Sequence, residues 1–154
     1  FGGVYKLTAV ENEKGEIIPK IKCSENVEKI TIPHFKKIYR LYNRDNGKAI
    51  ADYMTVYDEV VDENEPLMLF DPYATWKTKN VCNFEARELL VPVFLNGKRV
   101  YESPALKDIQ TYCKQQVDTL WDEIKRFDNP QTYYVDLSQK LWDIQQELLR
   151  KNRN

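Results

Sequence analysis

Apolar and polar positions divide the chain into two regimes. Over roughly the first hundred residues the dominant period is two, which is the signature of half-buried strands. Residues 4–10 and 17–21 read as short strands around a charged turn, Asn12-Glu13-Lys14-Gly15. Residues 37–42 alternate in period two, Asp45-Asn46-Gly47 turns the chain, and residues 49–57 run back. Asn-Gly between apolar runs is a strong short-range hairpin signal. Residues 67–70 form another strand closed by Asp71-Pro72, and residues 81–84 a further one. A second hairpin is expected from 89–94 and 99–101 around Asn96-Gly97, with Pro92 marking an edge or a bulge.

Beyond residue 103 the period changes to that of a helix. Ser103 suits an N-cap and Pro104 the first helical position. Leu106, Ile109, Cys113, Val117, Leu120, Ile124 and Phe127 then follow in steps of three and four. This stripe predicts one amphipathic helix over about 104–127 facing a core. Asn129-Pro130 ends it. A second helix is expected over about 136–150, with Asp136 and Gln139 as a capping box and Leu137, Leu141, Ile144 and Leu148 as its stripe. Arg150, Lys151 and Arg153 place cations at its C-terminus, where the helix dipole favours them. The predicted class is α+β: a small antiparallel β domain followed by two C-terminal helices.

Composition narrows the partners. The 154 residues are 42% hydrophobic and 31% charged, with a net charge of −1. That balance gives no chain-wide attraction to nucleic acid or to anionic membranes. No apolar run reaches the roughly 20 residues that span a bilayer. Cys23, Cys82 and Cys113 are widely spaced, so neither a disulfide framework nor a Cys-x-x-Cys zinc site is expected. They read as buried free thiols in a reducing cytoplasm. A strand-like run begins almost at Phe1, behind Gly2 and Gly3, which reads as a piece of a longer protein.

Several blocks resemble one family. Gly2-Gly3-Val4-Tyr5-Lys6-Leu7 is similar to a segment of bacterial nicotinate phosphoribosyltransferases. So is the stretch from Lys20 through Ser24-Glu25 and Thr31 to Pro33. So are Ala86-Arg87-Glu88-Leu89-Leu90-Val91-Pro92-Val93-Phe94 with Asn96-Gly97-Lys98, Asp118-Thr119-Leu120-Trp121-Asp122-Glu123, and Tyr133-Tyr134-Val135-Asp136-Leu137-Ser138-Gln139-Lys140-Leu141. The blocks run in order along nearly the whole chain. The resemblance implies a C-terminal region of such an enzyme, a cytoplasmic glycosyltransferase of NAD salvage that joins nicotinate to phosphoribosyl pyrophosphate. Residues 1–34 would then end the barrel core and its connecting segment, with the first strand belonging to the barrel. Residues 35–154 would form the C-terminal domain. The resemblance further implies Mg²⁺ and ATP for the parent enzyme, with none bound by this chain alone, and a homodimer of the parent. The family's catalytic histidine and arginines lie upstream, so the 154 residues alone are expected to be inactive. Where the family usually has Gly after the Thr-x-Pro element, this chain has His34. A nicotinamide phosphoribosyltransferase fragment and a non-catalytic β-rich binding module remain alternatives.

The candidate chemistry is sparse. No catalytic or metal-ligating residue is expected within the chain. Gly2 and Gly3 could bring backbone N–H groups near a phosphate, and Lys6 could hold one as a point charge. Against this stand a plain turn and a lysine facing solvent. Lys20, Lys22, Lys29, Lys36 and Lys37 cluster near Ser24 and Thr31, a patch that suits a phosphate-rich substrate or a solvated domain contact. His34, the only histidine, reads as a loop residue without a role. Tyr39, Arg40, Tyr42, Arg44, Lys48 and Tyr53 could stack and track single-stranded nucleic acid, or pack across strands. Asp58, Glu59, Asp62, Glu63 and Glu65 read as a solvated turn, and Trp76, Trp121 and Trp142 as core or interface anchors.

Overall fold

The structure is a computed structural model that describes residues 3–26 and 29–152. It is a mixed α+β fold of small sheets followed by helices. At its centre is a four-stranded sheet in the order β10-β4-β3-β7. β3 (Lys36–Asn43) and β4 (Ala49–Val56) form the expected hairpin. Gly47 takes φ 66° at its turn, and the Asn43 carboxamide oxygen accepts the backbone N–H groups of Asp45 (2.9 Å) and Asn46 (3.2 Å). β7 (Phe84–Glu88) pairs antiparallel with β3, and β10 (Val135–Leu137) pairs parallel with β4.

Alternation along β3 and β4 separates the two faces of this sheet. Tyr39 and Leu41 of β3 bury with Ala51 and Tyr53 of β4. The hairpin of β5 (Leu67–Asp71) and β6 (Ala74–Val81) covers that face and adds Leu69 and Val81, and Phe84 closes the cluster. A second cluster joins Val56, Leu137 and Leu141, where helix α3 (Gln139–Lys151) packs on the end of β4.

Two smaller hairpins flank the sheet. β1 (Ala9–Glu11) pairs with β2 (Ile17–Pro19) around the Asn12–Gly15 turn, whose Asn12 carboxamide oxygen accepts the N–H groups of Lys14 and Glu16, each at 2.9 Å. β8 (Phe94–Leu95) and β9 (Lys98–Arg99) flank Asn96-Gly97, both at positive φ, as a two-residue primed turn requires.

Several expectations change. The strand at 4–10 contracts to β1, because residues 4–7 have no partner strand and lie exposed. The proposed strand at 81–84 is instead the corner between β6 and β7, where Asn83 takes φ 51°. β6 itself was not anticipated, because Thr75-Trp76-Lys77-Thr78-Lys79-Asn80 is exposed throughout and carries no alternation.

The helix expected over 104–127 is two helices, α1 (Leu106–Asp118) and α2 (Asp122–Lys125). Its break has a local cause. Lys48 Nζ donates to the Asp118 carbonyl at 2.9 Å and the Ala49 N–H to the Thr119 carbonyl at 2.9 Å. The Trp121 indole N–H donates in turn to the Ala49 carbonyl at 3.1 Å. The start of β4 thus takes up the carbonyls that a continuing helix would use. Ala105, not Ser103, occupies the N-cap of α1 and makes no side-chain bond. The α1 stripe faces outward and buries no residue. The second helix begins at Gln139 rather than 136, because 135–137 joins the sheet and Ser138 supplies the cap.

All three cysteines are free, but exposed rather than buried, because they sit in the loop before residue 24, in the β6–β7 corner and on uncovered α1. Trp76 is 79% exposed on β6 and anchors nothing in the core. Among the described residues no helix is long and apolar enough to cross a membrane.

Candidate functional site

The N-terminal segment gathers the candidate phosphate groups. Gly2 lies outside the described residues. Gly3 is exposed, and a Cβ there would meet nothing within 4 Å, so no close approach demands glycine at that position. Lys6 Nζ donates to the Lys29 carbonyl at 2.6 Å. That bond draws the extended 4–7 segment across the loop after β2. Together they line a surface concavity with Lys6, Lys20, Lys22 and Lys29 around it and Ser24 among them. Among the described residues no carboxylate lies within ion-pair distance of these four ammonium groups. Four lysines around one concavity raise the local concentration of anions.

Backbone contacts fix this concavity to the domain. The Thr8 carbonyl accepts the N–H groups of Lys20 and His34, each at 2.8 Å. Buried Thr31 exchanges hydrogen bonds with Lys22, and Gln145 of α3 donates to the Thr31 carbonyl at 3.2 Å.

Lys36, grouped with these lysines in the sequence, does a different job. Its ammonium donates to the carbonyls of Ile32 (2.9 Å), Pro33 (3.3 Å) and His34 (2.7 Å). Burial draws its pKa down to about 8, while the three carbonyls favour the charged form. His34 sits at φ 78°, which explains why glycine suits this position better. Its Nδ1 accepts the Phe35 N–H at 2.9 Å, and its ring stacks on Tyr57 at 6.0 Å. Among the described residues no hydrogen bond joins its ring to a nucleophile or a carboxylate, so nothing marks it as a catalytic base.

The Tyr/Arg hairpin spends its groups internally. The β3–β4 register sets Arg40 opposite Asp52. Two parallel bonds join them, at 2.8 and 2.9 Å, and the Tyr133 hydroxyl donates to the same carboxylate at 2.9 Å. The Asp52 carboxylate holds the Arg40 guanidinium still more firmly protonated. Burial pushes the Tyr133 phenol well up. The Tyr42 hydroxyl donates to Gln116 of α1 at 2.8 Å, with the Arg87 guanidinium 5.2 Å above its ring. Arg44 pairs with Glu63. Tyr39 and Tyr53 are core residues. This surface therefore offers no row of free rings on which bases could stack.

The acidic stretch is likewise more structural than its composition implies. Glu59 accepts the Val56 N–H at 2.6 Å and the Ser138 hydroxyl at 2.7 Å. Glu63 accepts the Ala86 N–H at 2.8 Å. Among the described residues no group of three or more His, Cys, Asp or Glu could hold a metal ion.

One charged group escaped the sequence reading. Asp136, expected at a helix start, lies in β10 and is buried. Burial, with Asp71 adding to it, raises its carboxyl to about 6. Its flanks, Val135 and Leu137, were the available signal: a carboxylate inside an apolar strand is buried on one side of it.

Comparisons with known proteins agree on one family. Residues 35–145 match the family model described as the nicotinate phosphoribosyltransferase C-terminal domain. The chain is 42% identical over 141 residues to the nicotinate phosphoribosyltransferase of Bacillus subtilis, covering 92% of this chain and 29% of that protein. It is 32% identical over 153 residues to the Caenorhabditis elegans protein of the same name, covering 98% and 26%. The crystal structure of human nicotinic acid phosphoribosyltransferase matches with a TM-score of 0.69 and 22% identity, over 77% of this chain and 24% of that one. This last likeness is one of fold. The chain thus spans between a quarter and three tenths of the relatives' length.

Proposed function

This chain belongs to the nicotinate phosphoribosyltransferase family, and we propose that it is the C-terminal region of a cytoplasmic enzyme of NAD salvage. That enzyme forms nicotinate mononucleotide and pyrophosphate from nicotinate and phosphoribosyl pyrophosphate, coupled to ATP hydrolysis. The match of residues 35–145 to the C-terminal domain carries this reading.

In this scheme the pyridine nitrogen attacks the anomeric carbon of the ribose and pyrophosphate leaves. The groups that perform this step lie outside the 154 residues. Among the described residues no group of three or more His, Cys, Asp or Glu could hold Mg²⁺. The chain contributes position and charge. Residues 1–34 end the barrel core, and Lys6 stands on the substrate's phosphate side, at the concavity it lines. Lys20, Lys22 and Lys29 add to the attraction from the rim of the same concavity. Residues 35–154 are the supporting domain.

The remainder of the polypeptide is also the partner that covers α1. More than two thirds of the length of the Bacillus relative lies outside the matched stretch. An amphipathic helix that buries none of its own residues is a natural seat for that remainder. The parent then works as a homodimer.

Lys6→Met in the longer polypeptide tests the phosphate role. Loss of one charge-assisted contact should raise the KM for phosphoribosyl pyrophosphate about tenfold or more. An unchanged KM removes Lys6 from the site. Nicotinate against nicotinamide as the competing substrate separates the two sibling activities.

A further inference from the structure

Residues 31–35 form a strip that joins the lysine-lined concavity to the central sheet, and its two kinds of backbone group serve different neighbours. The carbonyls bond to the sheet and to α3. Gln145 of α3 donates to the Thr31 carbonyl at 3.2 Å. Lys36, the first residue of β3, donates from its ammonium to those of Ile32 (2.9 Å), Pro33 (3.3 Å) and His34 (2.7 Å). The Tyr57 N–H donates to the Phe35 carbonyl at 3.0 Å. Every carbonyl of the strip is thus held from one side. Its N–H groups serve the concavity. That of Thr31 donates to the Lys22 carbonyl at 3.3 Å, and that of His34 to the Thr8 carbonyl at 2.8 Å. Thr8 follows the segment that carries Lys6, and Lys22 lies in the loop that carries Lys20 and Lys29.

An ammonium has three N–H donors, and Lys36 spends all three on this strip. None remains for a substrate phosphate, so Lys36 acts on the concavity only through the backbone it holds. Its bonds are charge-assisted, and they hold His34 at φ 78° with its N–H on Thr8. The Thr8 carbonyl also accepts the Lys20 N–H at 2.8 Å, so one oxygen couples the strip to both lysine-bearing walls. We propose that Lys36 is a positioning residue for the phosphate-binding lysines. By clasping the strip it sets the spacing of Lys6 from Lys20 and Lys22, while Gln145 holds the strip's other end. The assignment rests on the reading of that concavity as the phosphate side of the substrate site.

The test compares variants of the longer polypeptide with phosphoribosyl pyrophosphate and nicotinate as substrates. Lys36→Met keeps the stem and removes the donors. It should raise the KM for phosphoribosyl pyrophosphate about fivefold and leave kcat and the KM for nicotinate unchanged, because loosened walls weaken phosphate binding without touching the reacting atoms. A merely destabilising change would lower the active fraction, and so kcat, and leave both KM values alone. The increase should persist in roughly 0.5 M potassium chloride, since misplaced walls, unlike a lost distant charge, are not masked by salt. Gln145→Met should show the same split at about threefold, and it decides the matter if Lys36→Met does not fold. Backbone amide exchange reads the coupling without substrate: Lys20 and His34 should exchange severalfold faster in Lys36→Met. A raised KM in Lys6→Met, but in neither Lys36→Met nor Gln145→Met, overturns this assignment and leaves the phosphate reading standing. An unchanged KM in Lys6→Met overturns that reading, and the assignment with it. Equal rises in both KM values, or a rise that vanishes in salt, overturn the assignment as well.

Discussion

Helices α1 and α3 have the same length, 13 residues, and both carry an apolar stripe in steps of three and four. Their fates differ. Leu141 of α3 is fully buried against Val56 and Leu137, and Gln145 of the same helix is buried too. Leu106, Ile109 and Val117 of α1 are 72%, 48% and 44% exposed. The caps differ in the same sense. Ser138 accepts the Leu141 N–H at 3.2 Å and donates to Glu59, whereas Ala105 caps nothing. α3 completes this domain's own core. α1 is held to the sheet by polar contacts, Gln116 to Tyr42 and Arg87, and leaves its apolar face exposed. Periodicity therefore establishes that a face is apolar, but not that the same domain covers it.

The sharpest way to break this contrast is to truncate both stripes. Leu141→Ala removes a fully buried side chain and should cost about 3 kcal/mol. Ile109→Ala should cost under about 0.5 kcal/mol in the 154-residue chain, where the side chain stays about half exposed. Urea midpoints measure both, and equal losses would dissolve the distinction.

A second effect concerns the β10 strand that feeds α3. The folded pKa of Asp136, about 6, lies above the ordinary 3.8. The fold thus prefers the protonated acid. Its stabilising preference is fully present below about 3.8, and it is lost as pH rises through about 6. Asp136→Asn should therefore match the parent near pH 3 and exceed it by about 3 kcal/mol at pH 8, by the pKa difference at about 1.4 kcal/mol per unit. Thermal melts across this range test it, and a variant less stable at pH 8 would contradict it.

Smaller effects than those at Leu141 and Asp136 lie at the caps. Ser138→Ala should cost about 1 kcal/mol or slightly more. Ala105→Ser should gain about 0.5–1 kcal/mol on α1 by supplying the missing cap. Helical ellipticity and urea midpoints read both.

The same contrast shows what was legible in the chain. The β3–β4 hairpin could be read directly, because Asn46-Gly47 and the period-two flanks are local signals. The α3 stripe was legible too, though its start was placed early. Strand β10 was not, because three residues become a strand only through pairing with β4, some eighty residues earlier in sequence. β6 was hidden by its polar surface, since backbone pairing with β5 rather than side-chain burial makes it a strand. At the candidate site, Lys20, Lys22 and Lys29 were adjacent enough to be grouped. Lys6 joins them only through the Lys29 carbonyl, and Lys36 leaves them for three carbonyls of its own. Asp71 meets Asp136 on one cavity wall only once β5 and β10 come together.

Amide hydrogen exchange on α1 and α3, in the 154-residue chain and in the longer polypeptide, tests the central claim most directly. The account predicts strong protection of α3 in both. It predicts that α1 exchanges rapidly in the short chain and gains at least about a hundredfold in protection when the rest of the polypeptide is present. Equal protection of the two helices in the short chain, or no gain on α1 in the longer one, would contradict it.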